Sequence, residues 1–136
     1  MTDPRARSTE YTVALRAFSA SLSPDEVSRI VGLAPTYARA IGSTPSAQQR
    51  EHVWEFEPDA APGDPRFAAR VEALLQAVQP FAEGLRALGD RAELVLWCAC
   101  LGREPEQTVE LSKQAIAAMA DLGISLSYSS YACTTD

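Results

Sequence analysis

Stretches of period two and of period 3.6 succeed one another along this chain. From Glu10 to Ser19, Tyr11, Val13, Leu15 and Ala17 fall on one side and Thr12, Ala14, Arg16 and Phe18 on the other, which predicts a strand. Ser23-Pro24-Asp25-Glu26 predicts a helix start: Ser23 caps, Pro24 suits the first helical position, and Glu26 completes a capping box. Val27, Ile30 and Val31 give that short helix one apolar face, and Gly32 ends it. After a turn at Leu33–Thr36, Tyr37 to Ile41 reads as a short strand and Gly42 to Gln49 as a polar loop. Glu51 to Glu57 then sets His52, Trp54 and Phe56 against Glu51, Val53, Glu55 and Glu57, a half-buried strand with one wet, acidic face.

Ala60 to Gly63 reads as a loop and Asp64-Pro65 as the start of the longest helix. Phe67, Val71, Leu74, Leu75, Val78, Phe81, Leu85 and Leu88 keep helical spacing up to Gly89. Pro80 lies inside that pattern and either kinks the helix or splits it. Arg91 to Leu101 is the most apolar strand, with Leu94, Leu96, Cys98 and Cys100 on one face and Val95, Trp97, Ala99 and Leu101 on the other. Two apolar faces ask for two covers, so it is expected at the centre, under the long helix and under either a third helix or a dimer partner. Gly102 to Gln107 is a polar connector, and Thr108 to Leu111 is extended. Ser112 caps the third helix, with Leu111 and Ile116 at staple positions and Ile116, Met119, Ala120 and Leu122 facing inward. Beyond Gly123, Ile124, Leu126 and Tyr128 alternate with Ser125, Ser127 and Ser129 as a one-sided strand.

The predicted organisation is a tail at residues 1–9, one α+β domain over residues 10–132, and a fraying end at 133–136. The order is β-α-β-β-α-β-α-β. Its first six elements match a split β-α-β, the ferredoxin-like arrangement, to which a C-terminal helix and strand are added.

Composition narrows the function. At 136 residues the chain is one domain, large enough to fold without disulfides or metal. Its net charge of −6 argues against a phosphate-backbone binder, which needs clustered Lys and Arg. No apolar run suits a secretory signal or a membrane span, so a cytoplasmic protein without membrane contact is expected. Three cysteines, Cys98, Cys100 and Cys133, are not a secreted disulfide framework.

Ser23-Pro24-Asp25-Glu26 leading to Gly32–Thr36, the following Ile41-Gly42, Trp54 in the next strand, and Leu111-Ser112 with Leu122–Tyr128 are ordered and spaced alike in a known family. From about Tyr11 to Tyr131 the chain resembles the bacterial domain-of-unknown-function family 4279. The resemblance implies no catalytic residues. Small bacterial domains of this sort are sometimes neighbours of polymorphic toxins, which by analogy suggests an immunity role.

Candidate chemistry is sparse. Cys98 and Cys100 share a strand face, but zinc would need Cys133 and His52 as well, and buried packing suits two small thiols better. His52 is the one histidine, and neither a nucleophile elbow nor a phosphate-binding glycine loop is present. Trp54 and Trp97 suit a core, although an aromatic over an open sheet face can line a ligand pocket. Glu51, Glu55 and Glu57 lie on one strand face, as a solvated surface or as a contact for a basic partner. The sequence therefore points to a protein that is not an enzyme and carries no cofactor or metal. Its expected role is an interaction protein, of the immunity type, binding a basic effector through Glu51, Glu55 and Glu57. The alternative is a small-molecule-sensing ferredoxin-like domain acting as a dimer. Both a monomer and a homodimer are compatible with the sequence.

Overall fold

The structure, a computed structural model, describes residues 10–42, 50–58, 66–102 and 109–132. The two expected tails lie outside the described residues, as do 43–49 of the polar loop, the 60–63 loop, Asp64-Pro65, most of the 102–107 connector, Thr108 and Cys133. Along the chain come β1 (Glu10–Ser19), α1 (Pro24–Val31), β2 (Tyr37–Arg39), β3 (His52–Phe56), α2 (Phe67–Val78), α3 (Ala82–Ala87), β4 (Glu93–Gly102), α4 (Lys113–Leu122) and β5 (Ile124–Ala132). The protein is α+β, and the strands form one mixed sheet in the order β2-β3-β1-β4-β5.

β1 lies at the centre, antiparallel to both β3 and β4, and β2 adds antiparallel to β3. β4 and β5 are parallel, as a crossover through α4 requires. The register aligns side chains in rows across the sheet. One row reads Tyr37, Glu55, Arg16 and Val95; the next reads Arg39, Val53, Phe18 and Glu93.

One sheet face carries the core. Val13, Leu15, Trp54, Leu96 and Cys98 pack there with Val27 of α1, Val71 and Leu74 of α2, Leu85 of α3 and Met119 of α4. Each fully buried aliphatic or aromatic side chain of this kind contributes about 1.5–3 kcal/mol. All four helices contribute to this single cluster, so all four lie on the same face. Among the described residues, none covers the other face. The expected second cover over β4 by the third helix is therefore corrected: α4 extends the existing helical layer beside α2.

Local signals explain the helix boundaries. Ser23 and Glu26 form the expected capping box, and Gly32 ends α1 in the left-handed region at φ 84. Ser112 caps α4 by accepting a hydrogen bond from the Ala115 N–H at 3.0 Å, and Gly123 closes it at φ 72. α2 begins at Phe67, with Arg66 in extended conformation at its cap. Pro80 splits the long helix. Gln79–Phe81 forms a 3₁₀ turn, and α3 resumes at Ala82.

The inward face of α4 needs correction. Ala115, Met119 and Leu122 are buried, whereas Ile116 is 55% exposed and Ala120 is also exposed. Successive spacings of four and three keep 115, 119 and 122 on one stripe, and residues 116 and 120 lie about 100° off it. β2, β3 and the start of β4 fall short of their alternation, whereas β1 keeps its expected bounds and β5 runs on to Ala132. β2 ends at Arg39, where the Ile41 N–H turns to donate to Nδ1 of His52 at 3.0 Å, and Arg91 belongs to the 3₁₀ turn before β4.

Candidate functional site

The uncovered sheet face is the place where the described residues present unusual side chains. Arg16 projects from the middle of β1, where β3 lies on one side and β4 on the other. Its Nε donates to Oε1 of Glu55 at 2.6 Å, and its guanidinium carbon lies 4.0 Å from the ring centre of Trp97. A cation over an indole face contributes about 0.5–2 kcal/mol, more as water is excluded. The Glu55 side chain is only 14% exposed, so the central residue of the expected acidic row is held in an ion pair rather than solvated. Glu51 and Glu57 stand just beyond the two ends of β3, both exposed. The Glu57 backbone N–H donates to the Thr36 hydroxyl at 2.9 Å. Partial desolvation and then the Glu55 charge raise the Glu57 carboxyl above its ordinary value, against the pull of Arg70.

Beside the pair runs a shallow groove of about 300 Å³, lined by Arg16, Phe18, Tyr37, Arg39, Val53 and Glu55. Arg39 Nε is buried in it without a hydrogen-bond partner. Further along the same face, Leu101 and Tyr131 stand next to each other in register and are well exposed. Trp54 is in the core, 1% exposed, with its indole N–H donating to the Ser28 hydroxyl at 3.0 Å. Trp97 is not a core residue: it is half-buried on the open face under Arg16.

The thiols lie on the opposite, helix-covered face. Cys98 and Cys100 are fully buried, and burial pushes the Cys98 thiol up to about 12. Tyr11 and Tyr128 flank Cys100 and pack against Phe67, with ring centres 5.5 and 5.7 Å from it. Burial first, then Cys100, raises both phenols. His52 accepts from Ile41 on Nδ1 at the far end of β3, remote in register from both thiols. Among the described residues no three His, Cys, Asp or Glu side chains gather as a metal site.

Sequence reasoning singled out Glu51, Glu55 and Glu57 and missed Arg16, Arg39 and Tyr37. For the two arginines the signal is a guanidinium at an outward position of a strand. It becomes informative only when pairing places Glu55 and Trp97 beside Arg16. Among the described residues no helix is long and apolar enough to cross a membrane. A model of the family described as "Domain of unknown function (DUF4279)" matches residues 9–132. Comparison with curated proteins and with solved structures returns no match.

Proposed function

The chain belongs to the DUF4279 family, and we propose for it a non-enzymatic interaction protein that receives a basic protein surface on its open sheet face, in the manner of an immunity-type inhibitor. The observation that carries the proposal is the asymmetry of the sheet. One face is filled by helices, while the other presents Trp97, Phe18, Tyr37 and the Arg16–Glu55 pair, with Glu51, Glu57 and Glu93 around them. Trp, Tyr and Arg are the residue types that anchor protein interfaces, and peripheral charge speeds association with a partner of opposite sign. A non-catalytic role agrees with a thiol that burial keeps protonated and with a histidine whose Nδ1 is occupied by a backbone N–H. The ferredoxin-like reading of the first four strands is supported by their order, β2-β3-β1-β4, with all three pairings antiparallel.

The test is surface binding of proteins encoded beside this chain, with the full-length protein immobilised. A basic partner is expected whose on-rate falls about tenfold or more for Glu51→Lys/Glu57→Lys, by loss of steering, and whose off-rate rises for Trp97→Ala. A partner held equally by wild type and by both variants would remove the open face from consideration.

A second reading has its own observation. The unpartnered Arg39 Nε in the groove favours a small carboxylate ligand, as a sensing domain acting as a dimer would take. A thermal-shift panel of carboxylates is expected to stabilise wild type and not Arg39→Gln. Equal shifts in both proteins, or none in either, count against it.

A further inference from the structure

The second edge of the sheet differs from the first. β2 closes one edge with three residues, one of them Arg39, soon after Pro35. β5 closes the other with nine residues, Ile-Ser-Leu-Ser-Tyr-Ser-Ser-Tyr-Ala, pairing with β4 on one side and with no described residue on the other. Natural edge strands are blunted by charge, proline, bulges or shortness. β5 has none of these along an unbroken register from Ile124 to Ala132. Each of the other four strands carries at least one charged residue, and β5 carries none.

The helix above this edge continues the pattern. On one side of α4, Gln114 and Ala118 line a groove against α2, and Asp121 pairs with Arg86 of α3. The opposite side looks out beyond β5. Ile116 and Ala120 occupy it one turn apart, both exposed, Ile116 by 55%. Below them Leu126 is 48% exposed although it lies in the row of the buried Leu96. An isoleucine, a leucine and a strand edge thus adjoin on one flank, bordered by the exposed Lys113 one turn before Ile116, on a chain of net charge −6.

We propose that this flank is a homodimer interface, in which β5 pairs antiparallel with β5 of a second copy and the two α4 helices pack side by side above a continuous ten-stranded sheet. A second copy is the occupant that the charge distribution selects. Two chains of −6 repel except where they meet without like charges, and β5 against itself brings none together. A two-fold axis makes the α4 helices antiparallel. The Lys113 end of each then lies beside the carbonyl end of the other, where a cation is favoured. Strand pairing alone buries less than the roughly 800 Å² per partner typical of stable complexes, so the Ile116–Ala120–Leu126 flank is a necessary part of the contact. The dimer leaves the open sheet face free, so it stands or falls apart from the partner proposed above.

Sedimentation equilibrium of the full chain tests it. Wild type is expected at twice the 14.7 kDa chain mass, and Ile116→Lys/Leu126→Lys at the monomer mass with an unchanged circular dichroism spectrum, since both positions are solvent-facing. Tyr37→Lys/Leu101→Lys, two exposed open-face positions outside β5, is the control and is expected to remain dimeric. A monomeric wild type at several hundred micromolar overturns the proposal. So does a dimer that survives lysines at 116 and 126, or one that only the open-face lysines dissociate.

Discussion

Gly84 is the residue whose role is least apparent from its neighbours in sequence. It sits in α3, and a Cβ built on it would come within 2.5 Å of the Val31 carbonyl oxygen and 2.6 Å of the Val31 Cα. Those are backbone atoms of α1, so no rotamer change relieves the contact. Gly84→Ala would gain up to about 1 kcal/mol of helix propensity, but it must push two helices apart. Overpacking of this kind costs about 1–3 kcal/mol, and urea unfolding is expected to show a net loss. A stabilised Gly84→Ala would mean that α1 and α3 do not touch there. Cys98 gives a second expectation. Its thiol has an ordinary value of 9.0 and lies near 12 in the folded chain because burial disfavours the thiolate. Above pH 9 the unfolded chain releases this proton and the folded chain keeps it, so stability that is intact below pH 9 is lost as pH rises toward 12. Tyr128, raised from 10.0 to about 12, acts in the same sense. The urea midpoint of wild type should therefore fall more steeply between pH 9 and 11 than that of Cys98→Ala. Parallel pH profiles would remove Cys98 as a cause.

Elements differ in how far their sequence announces them. α1 and α4 were legible end to end because their boundaries are local chemistry: Ser23 with Glu26, Ser112 with Ala115, and a left-handed glycine after each. Ser112→Ala removes one such cap and is expected to lower stability by about 1 kcal/mol. Most of that should be recovered in Ser112→Asp, whose carboxylate can accept the same N–H, and an alanine variant as stable as wild type would show the cap to be dispensable. The strands were legible in their alternation, but their partners were not, since pairing depends on residues far apart in sequence. That is why Glu55 read as a solvated acid: its partner Arg16 is 39 positions away. The same limit placed Trp97 in a core. Its strand is apolar on both faces, and only the gathering of all helices on one side shows which face stays open. Ile116 was misplaced for a different reason. It is the most apolar residue of α4, but the inward stripe runs through the smaller Ala115.

Over the whole molecule the two tryptophans report on the two faces. Trp54 lies between sheet and helices at 1% exposure with its N–H bonded to Ser28, and Trp97 lies on the other side under the Arg16 guanidinium. If the second face were covered in the full chain, both indoles would be shielded alike. Two single-tryptophan proteins separate them. Trp97→Phe keeps only Trp54, for which blue-shifted emission and little quenching by acrylamide are expected. Trp54→Phe keeps only Trp97, which should emit further to the red and be quenched several-fold more efficiently. Arg16→Ala added to it removes the cation that shelters one ring face and should raise quenching again. Trp54→Phe also leaves the Ser28 hydroxyl without its donor, so its fold is first checked by circular dichroism. The same pair distinguishes the two associations proposed for this chain. Dimerisation along β5 leaves Trp97 exposed at every protein concentration, whereas a basic partner seated on the open face should shield Trp97 and leave Trp54 unchanged. Quenching of Trp97 that falls with protein concentration alone would instead assign the open face to a second copy and contradict a dimer through β5.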